Sequence, residues 1–259
     1  MNQDNDPGRT GRFAPNYTTL SVGPGGSLKP NRGAAFSLDL GSNPTQAYLP
    51  CHTSKIFFGC DFFGGLIRSF RIREDGKIVQ VDAQPLPTEE FADTGAPPLP
   101  LGLWSSPKAR ILYVGFVTIN RIGVYKYDDQ GRFRFLRSVP NSGKALCWLR
   151  TNEAGTRLYT SNTADPSISV YDTSFDPSKP VEIQRLVLKG QSNVYQITLD
   201  PSGRWFYAVS QRNSEGLPTT ANALHVLRVA HDGTLTEVES SPTPLNVPAN
   251  SRPQGVLAF

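Results

Sequence analysis

Three cysteines in 259 residues are too few for a disulfide framework. Cys51 falls in a turn before a strand and Cys60 near that strand's far end, so at about 3.3 Å per residue they stand more than ~10 Å apart, beyond disulfide reach. The thiols are therefore read as reduced, which makes the cytoplasm the expected compartment. No apolar run reaches 18 residues, which excludes a membrane-spanning helix. The opening Met1-Asn2-Gln3-Asp4-Asn5-Asp6 is polar and acidic, unlike a signal peptide. Histidine is scarce: His52 belongs to a turn, His225 to a third strand and His231 to an outer turn. Three such positions cannot converge, so neither a histidine metal site nor a Ser-His-Asp triad is expected. The net charge of +4 comes from scattered residues, and no basic run alternates with aromatics as a nucleic-acid stripe requires. No cofactor, nucleic-acid or membrane partner is expected, which leaves a small molecule or a protein.

What the chain does have is turn residues, 23 Gly and 22 Pro, and a phrase that comes back four times at intervals of about 46–55 residues. The phrase reads Lys55-Ile56-Phe57-Phe58, Ile111-Leu112-Tyr113-Val114, Arg157-Leu158-Tyr159-Thr160 and Trp205-Phe206-Tyr207-Ala208. Repetition at this period marks units that cannot bury their apolar faces alone. Each unit carries four short alternating runs, and Asp75-Gly76 and Asp232-Gly233 supply the positive φ of tight hairpin turns. The expected fold is all-β, a β-propeller of four-stranded antiparallel blades at about 44–96, 97–143, 144–192 and 193–251. Residues 1–15 read as a disordered arm and 16–259 as the propeller. A hairpin within 17–43 and an inner strand at 255–259 would together give a partial blade from 17–43 and 252–259. The chain then reads as an incomplete five-bladed ring or as the carboxyl-terminal part of a longer propeller.

The phrases Leu112-Tyr113-Val114, Leu158-Tyr159-Thr160-Ser161-Asn162, Ser167-Ile168-Ser169-Val170-Tyr171 and Asp200-Pro201-Ser202-Gly203-Arg204 resemble the seven-bladed lactonase-type propellers. That family includes a bacterial 6-phosphogluconolactonase and fungal carboxymuconate cyclases. The resemblance runs from about Tyr17 to Phe259, over the family's last four blades, and implies the fold more firmly than the chemistry. It implies a histidine where Gln46 stands, an Asn-Glu pair at Gly115-Phe116, a glutamate near Cys147 and an arginine at Thr163. None is present, so the implied hydrolysis of a sugar lactone lacks its inherited general base.

At the axis, where inner strands begin and second-to-third strand loops converge, the polar residues are Gln46, Asp61, Asn162, Gln196, Gln211, Arg212 and Gln254, with Cys147 and Tyr195 nearby. Asp61 is the carboxylate placed to act as a catalytic base. Arg212 lies in the longest loop, where its guanidinium would clamp an anionic group of the ligand. The amides would bind substrate or satisfy backbone groups around a channel. Cys147 reads as a buried structural thiol, and Trp104, Trp148 and Trp205 as packing between blades.

Overall fold

The structure, a computed structural model, describes residues 14–190, 192–211, 222–248 and 251–259. Its strands are β1 (Asn16–Tyr17), β2 (Leu20–Val22), β3 (Leu28–Pro30), β4 (Phe36–Ser37), β5 (Ile56–Asp61), β6 (Leu66–Ile72), β7 (Ile78–Pro85), β8 (Pro100–Ser105), β9 (Ile111–Phe116) and β10 (Arg121–Tyr127). They continue as β11 (Phe133–Pro140), β12 (Leu146–Thr151), β13 (Arg157–Asn162), β14 (Ser167–Asp172), β15 (Val181–Val187), β16 (Asn193–Leu199), β17 (Trp205–Gln211), β18 (Ala223–Val229), β19 (Leu235–Glu237) and β20 (Thr243–Pro244). Antiparallel meanders β8 to β11 and β12 to β15 form two four-stranded blades, and β16 to β19 form a third in which β20 rejoins β18. The fold is a β-propeller.

The first blade is less regular. Its sheet holds only β5, β6 and β7, and the inner place is taken by residues 44–48 through two isolated bridges, Pro44 with Asp61 and Tyr48 with Phe58. The inner strand expected at Gln46–Leu49 is therefore an irregular segment, held to β5 by Thr45 N–H on Cys60 O at 3.1 Å and by the paired Tyr48 and Phe58 backbone bonds. Pro44 has no N–H for the ladder. Side chains of its neighbours also reach the second blade, where Thr45 Oγ1 donates to the Leu101 carbonyl at 2.7 Å and Gln46 Oε1 accepts from Leu103 N–H at 2.7 Å.

The recurring aromatic phrase joins one blade to the next. Its second residue is buried between blades in every copy, as Ile56, Leu112, Leu158 and Phe206. Its third residue reaches the neighbouring blade's outer turn: Tyr113 OH donates to Pro177 O at 2.7 Å, and Tyr159 OH to Gly233 O at 3.0 Å. Gly233 has φ of +83°, so the Asp-Gly signal does supply a turn that a side chain would strain. Gly102 serves a different need. A Cβ there would collide with the Cys147 carbonyl oxygen, so its absence lets β8 and β12 approach closely.

The two ends occupy different blades. β1 pairs with β4 and β2 with β3, and Tyr17, Leu38, Phe57, Phe70 and Ile78 form a core over the first blade. The tail passes the fourth blade, where Gln211 Nε2 donates to Pro253 O at 2.9 Å, and reaches the opposite end of the axis at Ala258. Residues 255–259 thus lie where an inner strand belongs but form no ladder, contrary to the strand expected there. Among the described residues no second strand runs beside them to bond. The expected arm falls almost wholly outside the described residues. A 3-10 segment at Thr88–Thr94, which buries Phe91 against Phe116, is an addition that the repeat pattern did not signal.

Candidate functional site

Three inner strands bulge at the same place. The register between β8 and β9 shifts between Pro100 and Leu103, between β12 and β13 from Leu146 to Leu149, and between β16 and β17 from Val194 to Ile197. The two bridges of the first blade enclose one extra residue in the same way, four steps from Pro44 to Tyr48 against three from Asp61 to Phe58. A ring of four bulges results: Gln46-Ala47, Leu101-Gly102, Cys147-Trp148 and Tyr195-Gln196. An extra residue frees a strand locally from the ladder and re-aims its side chains, a device common beside active sites.

The donors that this ring carries are neutral. Trp148 Nε1 is buried and has no hydrogen-bond partner among the described residues. Tyr195 and Gln196 are half-buried, and burial, with the Cys147 sulfur nearby, raises the Tyr195 phenol above its ordinary value. Cys147 is buried, and desolvation pushes its thiol up to about 11. It is protonated at neutral pH and poorly suited to attack, as the sequence indicated.

Asp61 sits at the end of β5 and is buried. Its Oδ1 accepts from Asn43 N–H at 2.9 Å and Gly64 N–H at 3.1 Å, and its Oδ2 lies 3.6 Å from Arg68 Nη2. Oδ1 thus caps a turn, and Oδ2 faces a buried guanidinium without a hydrogen bond among the described residues. The other expected residues divide similarly. Gln46 ties two inner strands. Asn162 is wholly buried, accepting from Asn141 Nδ2 at 2.9 Å and donating to Ser167 and Ser169 hydroxyls at 2.9 and 3.0 Å. Gln211 holds the tail, Gln254 is exposed, and Arg212 lies outside the described residues. Of the seven, Gln196 is the one that the bulge ring presents without a hydrogen bond among the described residues.

Where the resemblance implied an Asn-Glu pair, the structure has core. Phe116 is fully buried and its ring lies so close to Gly123 that a Cβ there would collide with it; a Cβ at Gly115 would stand 2.6 Å from Leu146 Cδ2.

A constellation that the histidine positions did not suggest lies in the fourth blade. His225 Nδ1 donates to Glu237 Oε1 at 2.7 Å, and its Nε2 meets Ser210 Oγ at 3.0 Å. Ser241 Oγ and Lys189 N–H also donate to the carboxylate, both at 2.7 Å. The order is that of a hydrolase relay, but Ser210 is completely buried, so the group ties β17, β18 and β19 together. Its missed signal was register: His225 and Ser210 fall on one face of adjacent strands. Among the described residues no cluster of three or more His, Cys, Asp or Glu could hold a metal ion.

No family model and no curated protein matches the chain. Solved structures do. A putative 6-phosphogluconolactonase from Bacteroides fragilis superposes with a TM-score of 0.70 at 17% identity, over 92% of this chain and 68% of its own. The periplasmic gluconolactonase of Pseudomonas aeruginosa gives 0.72 at 18%, over 91% and 66%. A Lactobacillus plantarum protein gives 0.71 at 14%, over 88% and 64%. The chain therefore spans about two thirds of the length of the propellers it resembles. At these identities the likeness establishes the fold. Among the described residues no helix is long and apolar enough to cross a membrane.

Proposed function

We propose that this is a lactonase-type propeller that binds a small polar ligand, a sugar lactone or the acid derived from it, at the ring of inner-strand bulges, and that it hydrolyses lactones weakly or not at all. The observation that carries the reading is the makeup of that ring. It offers an indole N–H, a phenol and an amide, which suit the hydroxyl and carbonyl oxygens of a sugar. A general base must reach the attacking water with an available lone pair. Asp61, the expected base, is only 2% exposed, its Oδ1 accepts from the Asn43 and Gly64 N–H groups, and its Oδ2 faces the Arg68 guanidinium at 3.6 Å. The propeller likeness to proteins described as lactonases supports the ligand class. Arg212 is the group proposed to hold an anionic substituent. Three cysteines free of disulfides are compatible with a reducing compartment.

Calorimetric titration with gluconate and glucono-lactone tests the reading. Wild-type protein should bind saturably, and Gln196→Ala should weaken binding by about 0.5–1.5 kcal/mol, one neutral hydrogen bond. Equal affinity in the variant would remove the ligand from the bulge ring.

A further inference from the structure

A second opening lies at the other end of the axis. Where the turns between first and second strands converge, a cavity of about 830 Å³ is walled by Tyr48, Trp104, Arg150, Asp200 and Asp232, and reached by Ala258 of the tail. That volume is within the ~300–1,000 Å³ of ordinary small-molecule sites.

Arg150 sets the character of this cavity. Its guanidinium lies over the Trp104 ring, 4.9 Å from the centroid, and it makes no ion pair or hydrogen bond among the described residues. Trp104 is itself fixed, donating from Nε1 to Thr151 Oγ1 at 3.0 Å and packing on Tyr48 at 5.1 Å. The guanidinium therefore rests against a fixed ring, with its N–H donors unpartnered among the described residues. The other charged groups of the wall have polar partners or stand at its exposed rim. Arg157 pairs with Asp172 at 3.0 Å. Asp200 accepts from Trp205 N–H at 2.8 Å and Ser202 N–H at 3.1 Å, and Asp232 from Thr234 N–H at 2.9 Å. Glu153 and His231 are exposed at the rim. A half-buried cation with no ion pair among the described residues is costly, and burial does lower the pKa of this arginine.

We propose that this cavity is a second binding site, separate from the bulge ring, for the oxyanion head of a small molecule, with Arg150 as its bidentate anchor on Trp104. The shared chemistry is a carboxylate or a phosphate, since both match the planar fork.

Titrations with gluconate and with inorganic phosphate, followed by the chemical shift of the Trp104 indole N–H, test it. Wild-type protein should show a saturable shift with at least one of them. Arg150→Gln should weaken that response about ten- to hundredfold, as expected for losing a charge-assisted pair. Its melting temperature should stay level or rise, because an uncompensated charge has been removed. Arg150→Lys, which keeps the charge without the fork, should fall between the two. Gln196→Ala should leave the Trp104 response unchanged, which separates this site from the bulge ring. A response to phosphate but not gluconate would assign the head group as phosphate. An Arg150→Gln or Arg150→Lys protein that binds like wild type, or a wild-type protein whose Trp104 signal answers neither anion, would overturn the proposal.

Discussion

Glu237 shows how a single carboxylate is drawn into the frame rather than into chemistry. His225, Ser241 and the Lys189 N–H together hold its pKa below the ordinary glutamate value, outweighing the burial that would raise it. A carboxyl group whose folded pKa is depressed stabilises the fold fully above its unfolded pKa, about 4.3, and loses that contribution as pH falls through the folded value. Wild-type protein should therefore lose melting temperature steeply below about pH 4.3. Glu237→Gln should be less stable at pH 7 by about 1–3 kcal/mol and show a shallower acid limb. Melts between neutral and acid pH of the two proteins check this, and parallel limbs would contradict it. Asp61 belongs to the same class of residue. Its position at a loop near the axis was legible in the sequence, whereas its partner Arg68 was not, because the pairing depends on the register between β5 and β6.

Between elements, the ties from blade to blade explain why the repeat was so readable. Tyr113 and Tyr159 repeat in the sequence because each must reach the next blade's outer turn. Tyr207 occupies the same place in the fourth copy but makes no such bond among the described residues. Tyr159→Phe should therefore cost about 1 kcal/mol, and Tyr207→Phe less than about 0.5 kcal/mol, in paired urea melts. Equal costs would remove the inter-blade hydrogen bond from the explanation. Local signals carried the fold well: β6 and β10 begin and end where their alternation does, and Asp-Gly turns are where they were expected. Signals that depend on a neighbour were silent. Residues 44–48 alternate like a strand yet bond irregularly to β5 and through side chains to β8, and the inner-strand bulges, the heart of the candidate site, arise from register that no single strand records. Gln46, Gln196, Cys147 and Tyr195 were recognisable as inner-strand residues, but which of them keeps an open hydrogen-bonding group was decided by packing.

At the scale of the molecule, four blades follow one another around an axis that has different chemistry at its two ends. The bulge ring is neutral, and the opposite cavity holds the stacked Arg150. The tail runs between them, attached through Gln211 to Pro253 and through Asn222 Nδ2 to Ser251 O at 2.8 Å. Deleting residues 252–259 removes the first of these bonds and no ladder, so stability should fall by only about 0.5–1.5 kcal/mol. A loss of several kcal/mol on thermal or urea melting would mean that the tail is a paired strand. The central claim is that this propeller holds a sugar lactone or acid without the base needed to hydrolyse it quickly, and one measurement meets it directly. Hydrolysis of glucono-lactone and of 6-phosphogluconolactone should be followed at neutral pH with the spontaneous rate subtracted. The account predicts a remainder at or near zero, even at saturating ligand. A robust catalysed rate, abolished by Asp61→Asn in protein that remains folded, would contradict it and make Asp61 the base.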